Sequence, residues 1–136
     1  MSRFVEAQRD TYDEALSELR AGSKRGHWMW FVFPQIAGLA RSETARFYAI
    51  ADRGEAEAYL RHAVLGRRLR ECTEAVLGWA GRRRAEQILG AIDSIKFRSS
   101  MTLFEACGDV SESCAAALDV FYAGERDAAT LSRLCR

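Results

Sequence analysis

His27-Trp28-Met29-Trp30-Phe31-Val32-Phe33-Pro34-Gln35 is the densest aromatic stretch of this 136-residue chain, and it holds the only proline. Its apolar residues are nearly continuous, so periodicity cannot separate a strand from a buried helical turn. Pro34 biases Phe33 away from helix and marks a break. Two readings stay open at this point: a turn inside an all-helical protein, or a small hairpin over residues 27–37. Either way the run is buried or forms a binding surface. Trp28, Phe31 and Phe33 read as core. His27 and Gln35 flank the run and are unfavourable to bury unpaired, so they are candidates for a site. Trp30 is the ring that could stack a ligand.

The segments on both sides read as helices. Phe4, Gln8, Thr11, Tyr12, Ala15, Leu16 and Leu19 recur at three- and four-residue steps and predict one helix over 3–21. Gln8 lies inside that stripe, so its amide must brace a loop or face a cleft. Ser42 and Glu43 start a second helix, over 43–51. Asp52 and Gly54 open a third, closed by His62. Leu65, Leu69, Cys72, Val76 and Trp79 give a fourth, over 64–80, and a short fifth covers 82–89. Asp93 caps a sixth helix to about Ala106, Ser111 caps a seventh, and 127–134 is the last. Repeats, linkers and alternating strands are absent. The expectation is a single all-α domain, 1–136, of about six to eight short helices.

Composition narrows the class. With 49% hydrophobic and 29% charged residues, the chain reads as an ordinary globular protein. A net charge of +1 gives no global argument for nucleic acid or an anionic membrane. No segment approaches the roughly 20 apolar residues of a membrane span. Ser2 to Arg9 is polar and lacks the core of a secretory leader. Cys72, Cys107, Cys114 and Cys135 have no CxxC spacing, so each reads as a buried core thiol in a reducing cytoplasm. HExxH, GxSxG, EF-hand and phosphate-loop patterns are missing, and no metal or cofactor is expected.

Four local motifs could carry chemistry. The aromatic run is the first. The second is Tyr59-Leu-Arg-His62-Ala-Val-Leu-Gly66-Arg67-Arg68. Free amides at a helix start attract anions, and Arg67 or Arg68 could add charge; otherwise His62 is a helix-end cap. The third is Asp93-Ser-Ile-Lys96-Phe-Arg-Ser99-Ser100, where Lys96 and Ser100 are one turn apart. Lysine precedes serine there, the reverse of the familiar Ser-x-x-Lys spacing, so Lys96 is better read as an anion holder than as a base for Ser100. The fourth, Gly38-Leu-Ala-Arg-Ser-Glu43, is a glycine loop running into a capped helix.

These residues resemble one family. His27 to Gln35, Gly38-Leu39, Tyr48-Ala-Ile50, Tyr59 to Gly66 and Lys96-Phe-Arg-Ser-Ser-Met-Thr-Leu-Phe104, with Arg3-Phe4 and Ala7-Gln8, look like the bacterial family catalogued as domain of unknown function 1810. The likeness covers residues 3 to about 105. It implies a small, mainly helical domain and no established activity. Ala40 and Ala63 depart from the glycine and proline the resemblance leads one to expect. Members are sometimes labelled calpastatin, but that type of calpain inhibition goes with disordered repeats, which this chain lacks. A looser resemblance is to small helical domains linked to NAD and ADP-ribose metabolism.

The reading that joins these motifs is one pocket lined by His27, Trp30, Gln35, His62, Asp93, Lys96, Ser99 and Ser100, with Arg68 as a further ligand contact. It would hold a small anionic, ring-containing metabolite, nucleotide or ADP-ribose-like, with hydrolysis as an option. His27, Asp93 and Lys96 are the catalytic candidates. If these side chains scatter over different faces, the site idea fails. The alternative is a non-enzymatic interaction module, with the aromatic run as a partner groove.

Overall fold

The structure is a computed structural model and describes residues 1–108 and 112–135. Ten helices form among these residues: α1 Ser2–Arg9, α2 Tyr12–Arg20, α3 Met29–Val32, α4 Glu43–Phe47, α5 Arg53–Arg61, α6 Leu65–Leu77, α7 Ala85–Leu89, α8 Ala91–Cys107, α9 Glu112–Tyr122 and α10 Ala128–Leu134. The all-α expectation is met. The cap assigned to Ser111 lies outside the described residues.

α8 is the central helix, packed against α5, α7, α9 and α10. It is buried on several sides, from Ser94 and Phe97 through Phe104, so it lacks the single apolar stripe of a surface helix. Aromatic contacts join it to the rest. Phe97 meets Phe33 edge-on at 4.8 Å, Phe104 lies 5.2 Å from Tyr59, and Tyr59 meets Phe4 at 5.1 Å. Each such pair adds about 0.5–1.5 kcal/mol beyond its area burial.

The aromatic run resolves as a helical turn. Met29–Val32 is α3, and no hairpin forms over 27–37. Trp28, Met29, Val32 and Phe33 are buried, whereas Trp30 and Phe31 are half-buried, so Phe31 is less enclosed than its reading as core expects. After Pro34 the chain extends and makes one isolated parallel bridge between Ile36 and Ile50. Ala37 N–H donates to Ile50 O, and Ile50 N–H to Gln35 O, both at 2.8 Å.

The first expected helix is two. It breaks at Asp10 and Thr11, where Thr11 N–H donates to Gln8 O in a tight turn. Aspartate and threonine compete with helix through their short polar side chains and favour such a joint. Buried Gln8 lies just before this joint. Its Nε2 donates to Phe31 O at 2.7 Å and to Tyr59 Oη at 3.1 Å. Gln8 therefore braces the aromatic loop, the first of its two expected uses.

Local capping fixes the shorter helices. Ser42 Oγ accepts from Ala45 N–H, Asp52 Oδ1 from Glu55 N–H, and Asp127 Oδ2 from Thr130 N–H. Asp93 is not the cap of its helix. α8 begins two residues earlier, after Gly90 at φ +92°, a backbone that a side-chain-bearing residue rarely adopts. Neither Ala40 nor Ala63 has a positive φ, so the departures at these positions carry no strain of that kind. Cys72, Cys107 and Cys114 are buried free thiols, whereas Cys135 is exposed and corrects the expectation of four core cysteines. Cys135 is the C-cap residue of α10, where the helix ends at the surface.

Candidate functional site

Lys24 enters the site from the connector between α2 and α3. Its Nζ lies 2.8 Å from Asp93 Oδ2 and donates to Gly26 O at 2.6 Å. It also lies 5.0 Å from the Trp28 ring centroid. From α8, Lys96 Nζ approaches the other Asp93 oxygen at 3.9 Å and sits 5.1 Å from the centroid of Trp30. The carboxylate thus stands between two ammonium groups, each resting on a tryptophan. The ring quadrupole favours a cation in such a place.

Glu18 shapes the connector that delivers Lys24 and His27. Its Oε1 accepts from Arg25 N–H at 2.7 Å, Gly26 N–H at 2.9 Å and Trp28 Nε1–H at 2.9 Å. Burial pushes this carboxyl up, but those hydrogen bonds and nearby Lys24 outweigh it and hold it below the usual carboxylate range.

Lys24, His27, Trp30, Gly90, Ile92 and Asp93 line a cleft of about 440 Å³. The N-terminus of α8, a helix of 17 residues, opens here and has no side-chain cap. Its first amides add positive potential. His27 is exposed at the rim and makes no hydrogen bond among the described residues.

The remaining candidates lie elsewhere. Gln35 lines a separate cavity of about 140 Å³ with Tyr48 and Arg46, and Trp30 is the wall common to both spaces. Ser99 faces the C-terminal helix, donating to Asp127 Oδ2 at 3.2 Å. Ser100 is fully buried, and its Oγ has no partner. Arg68 turns inward: its guanidinium lies 4.6 Å from the Tyr12 ring centroid and donates to Gln8 Oε1 at 3.4 Å. His62 lines a third cleft, where its Nδ1 accepts from Val64 and Leu65 N–H at 3.2 and 3.3 Å. It closes α5 as its C-cap residue, as expected, and its ring also caps the start of α6. The eight-residue pocket is therefore not formed. His27, Trp30, Asp93 and Lys96 come together, and Gln35, His62, Arg68, Ser99 and Ser100 do not join them.

Sequence reasoning missed Lys24 and Glu18. Lys24 lies between the first helix and the aromatic run in a stretch without a motif, and Glu18 falls on the polar side of a regular helix. The one available signal was that Lys24 and Lys96 are the only lysines in a chain with 20 basic residues.

Among the described residues no three His, Cys, Asp or Glu side chains gather to hold a metal ion. No described helix is long and apolar enough to cross a membrane. Fold and clefts together define a small all-helical protein whose concave surfaces carry paired basic and aromatic side chains. The chain belongs to the family described as "Protein of unknown function (DUF1810)", which matches residues 1–134. It is similar to the conserved hypothetical protein Rv1873 from Mycobacterium tuberculosis, known from a crystal structure at 1.38 Å. The two share 47% identity over 99% of this chain and 96% of that one, with a TM-score of 0.96. No match was found among curated proteins.

Proposed function

We propose that this protein binds a small anionic, ring-containing metabolite in the cleft between the Lys24 connector and the start of α8. One observation carries the reading: two lysines converge on a single carboxylate beside an uncapped helix N-terminus and a half-buried tryptophan. Lys24 balances the Asp93 charge within the cleft, and Lys96 adds one positive charge beside it, which favours an anion. Lys96 and the first amides of α8 would hold the negative group. Trp30 and the His27 imidazole offer flat surfaces for a ring, as a nucleotide or ADP-ribose-like ligand requires. If the bound ligand is also hydrolysed, His27 is the freer group for proton transfer. Asp93, fixed between two lysines, would orient the ligand and Lys96 would balance developing charge.

The partner-groove alternative is less well supported. It needs an exposed tryptophan without converging polar groups, but Trp28 is 1% exposed and Trp30 carries the Lys96 ammonium.

A thermal-shift screen against nucleotides, ADP-ribose and sugar phosphates tests the proposal. A ligand at a hundred times its Kd stabilises the folded state by about 2.7 kcal/mol and raises the midpoint. The gain should vanish for Lys96→Gln with His27→Ala. A gain that survives that double substitution contradicts the assignment.

A further inference from the structure

We propose a second, separate binding site in the cleft between α5 and α6, selective for a compact phosphate-bearing polyanion such as a diphosphate group. This cleft has a volume of about 490 Å³, and Arg61, Arg67, Arg70, His62 and Glu57 provide its charged and polar lining. That size lies in the range of small-molecule sites, about 300–1,000 Å³.

The charge is concentrated. Among the described residues that line it, three arginines stand with one carboxylate, in a chain whose whole net charge is +1. Among the described residues Arg61 and Arg70 make no ion pair. Arg67 has only a long surface contact of 4.0 Å with Glu71, whose same oxygen already accepts the Tyr12 hydroxyl at 2.5 Å. Guanidinium groups that line one cleft with few counter-charges favour an anion among them.

The backbone shapes this cleft. A Cβ on Gly66 would fall 2.2 Å from Leu60 O, so only glycine lets the start of α6 approach the end of α5 this closely. That approach brings Arg61 on α5 toward Arg67 and Arg70 on α6. His62, at the joint, spends Nδ1 on the α6 amides, which leaves Nε2–H as the donor available to a ligand. The helix start is already capped, so recognition rests on side chains. Planar guanidinium forks match phosphate oxygens two at a time, and three of them suit two linked phosphates better than one.

Calorimetric titration of the full chain with inorganic pyrophosphate and with inorganic phosphate at low salt tests this. Pyrophosphate should bind at least tenfold more tightly than phosphate. Arg61→Gln and Arg70→Gln, both at exposed positions, should each weaken it about tenfold. Arg83→Gln, in another arginine-rich region, should leave it unchanged. Equal affinity for both anions, unchanged binding in Arg61→Gln and Arg70→Gln, or an equal loss in Arg83→Gln would overturn the proposal. Loss confined to Lys96→Gln would assign the anion to the first cleft and overturn it too.

Discussion

Lys24 Nζ lies 2.8 Å from Asp93 Oδ2, and the lysine side chain is only 7% exposed. Forming this pair ties the α2–α3 connector to the start of the central helix. Lys96, 22% exposed and 3.9 Å away, contacts the same carboxylate more loosely. The two lysines therefore differ in kind: one is structural and sheltered, the other open to a ligand.

Removing the shared carboxylate should reveal that difference. Asp93→Asn leaves the sheltered Lys24 ammonium without its counter-charge, and breaking a buried pair in this way costs about 3 kcal/mol. Lys96→Gln removes an exposed, long contact and should cost under about 1 kcal/mol. Urea denaturation of both variants checks the order; equal losses would mean that Lys24 is not sheltered in solution.

Gly66→Ala should destabilise the protein by about 1–3 kcal/mol, as overpacking against a neighbouring atom does. The clash is with backbone, Leu60 O at 2.2 Å, so no side chain can swing aside. Thermal denaturation should show a lower midpoint.

Ser100→Ala should be neutral or stabilising by about 1 kcal/mol, since a buried hydroxyl without a partner is desolvated for no return. It should leave ligand binding untouched. A loss of binding would restore Ser100 to the site.

Acid should loosen the Lys24 connector. The folded Glu18 carboxyl titrates below its ordinary value, and Glu55, held by Arg3 and the Ala51 amide against the opposing effect of burial, does the same. A depressed carboxyl contributes stability that is fully present above the unfolded value and lost as pH falls through the folded one. Stability measured by urea should therefore drop as pH falls below the ordinary carboxylate range. Glu18→Gln should be less stable near neutrality and show a shallower drop.

A thiol reagent should modify Cys135 quickly in the native protein and the other three cysteines only on unfolding. Burial pushes the thiols of Cys72 and Cys114 up to about 12 and raises that of Cys107, so little thiolate forms there at neutral pH. Two or more fast equivalents would contradict the packing of α6, α8 and α9.

The helical fold was legible because its periodic stripes and caps are local signals. Ser42, Asp52 and Asp127 announce helix starts by residue type alone. The break at Asp10–Thr11 was hard to read because the apolar stripe runs through it, and the local preference of Asp10 and Thr11 for a joint is a weaker signal than that periodicity. The aromatic run was ambiguous because its apolar residues are nearly continuous, which erases periodicity. Part of the site was readable from residues that are awkward to bury, His27, Asp93 and Lys96. Arg68, Ser99 and Ser100 share the sequence neighbourhoods of site residues but point to other sides of α6 and α8. Helical phase relative to neighbours, which decides this, depends on packing. Lys24 was hidden because its partner Asp93 is distant in sequence.

The central claim, an anion cleft between Lys24, Trp30 and the start of α8, is tested most directly by amide NMR shift mapping with ADP-ribose. The account predicts perturbations centred on Lys24, His27, Trp30 and residues 90–96, saturating with one ligand. Saturable binding that leaves those amides unmoved would contradict it, as would the absence of any perturbation by ADP-ribose or by the nucleotides.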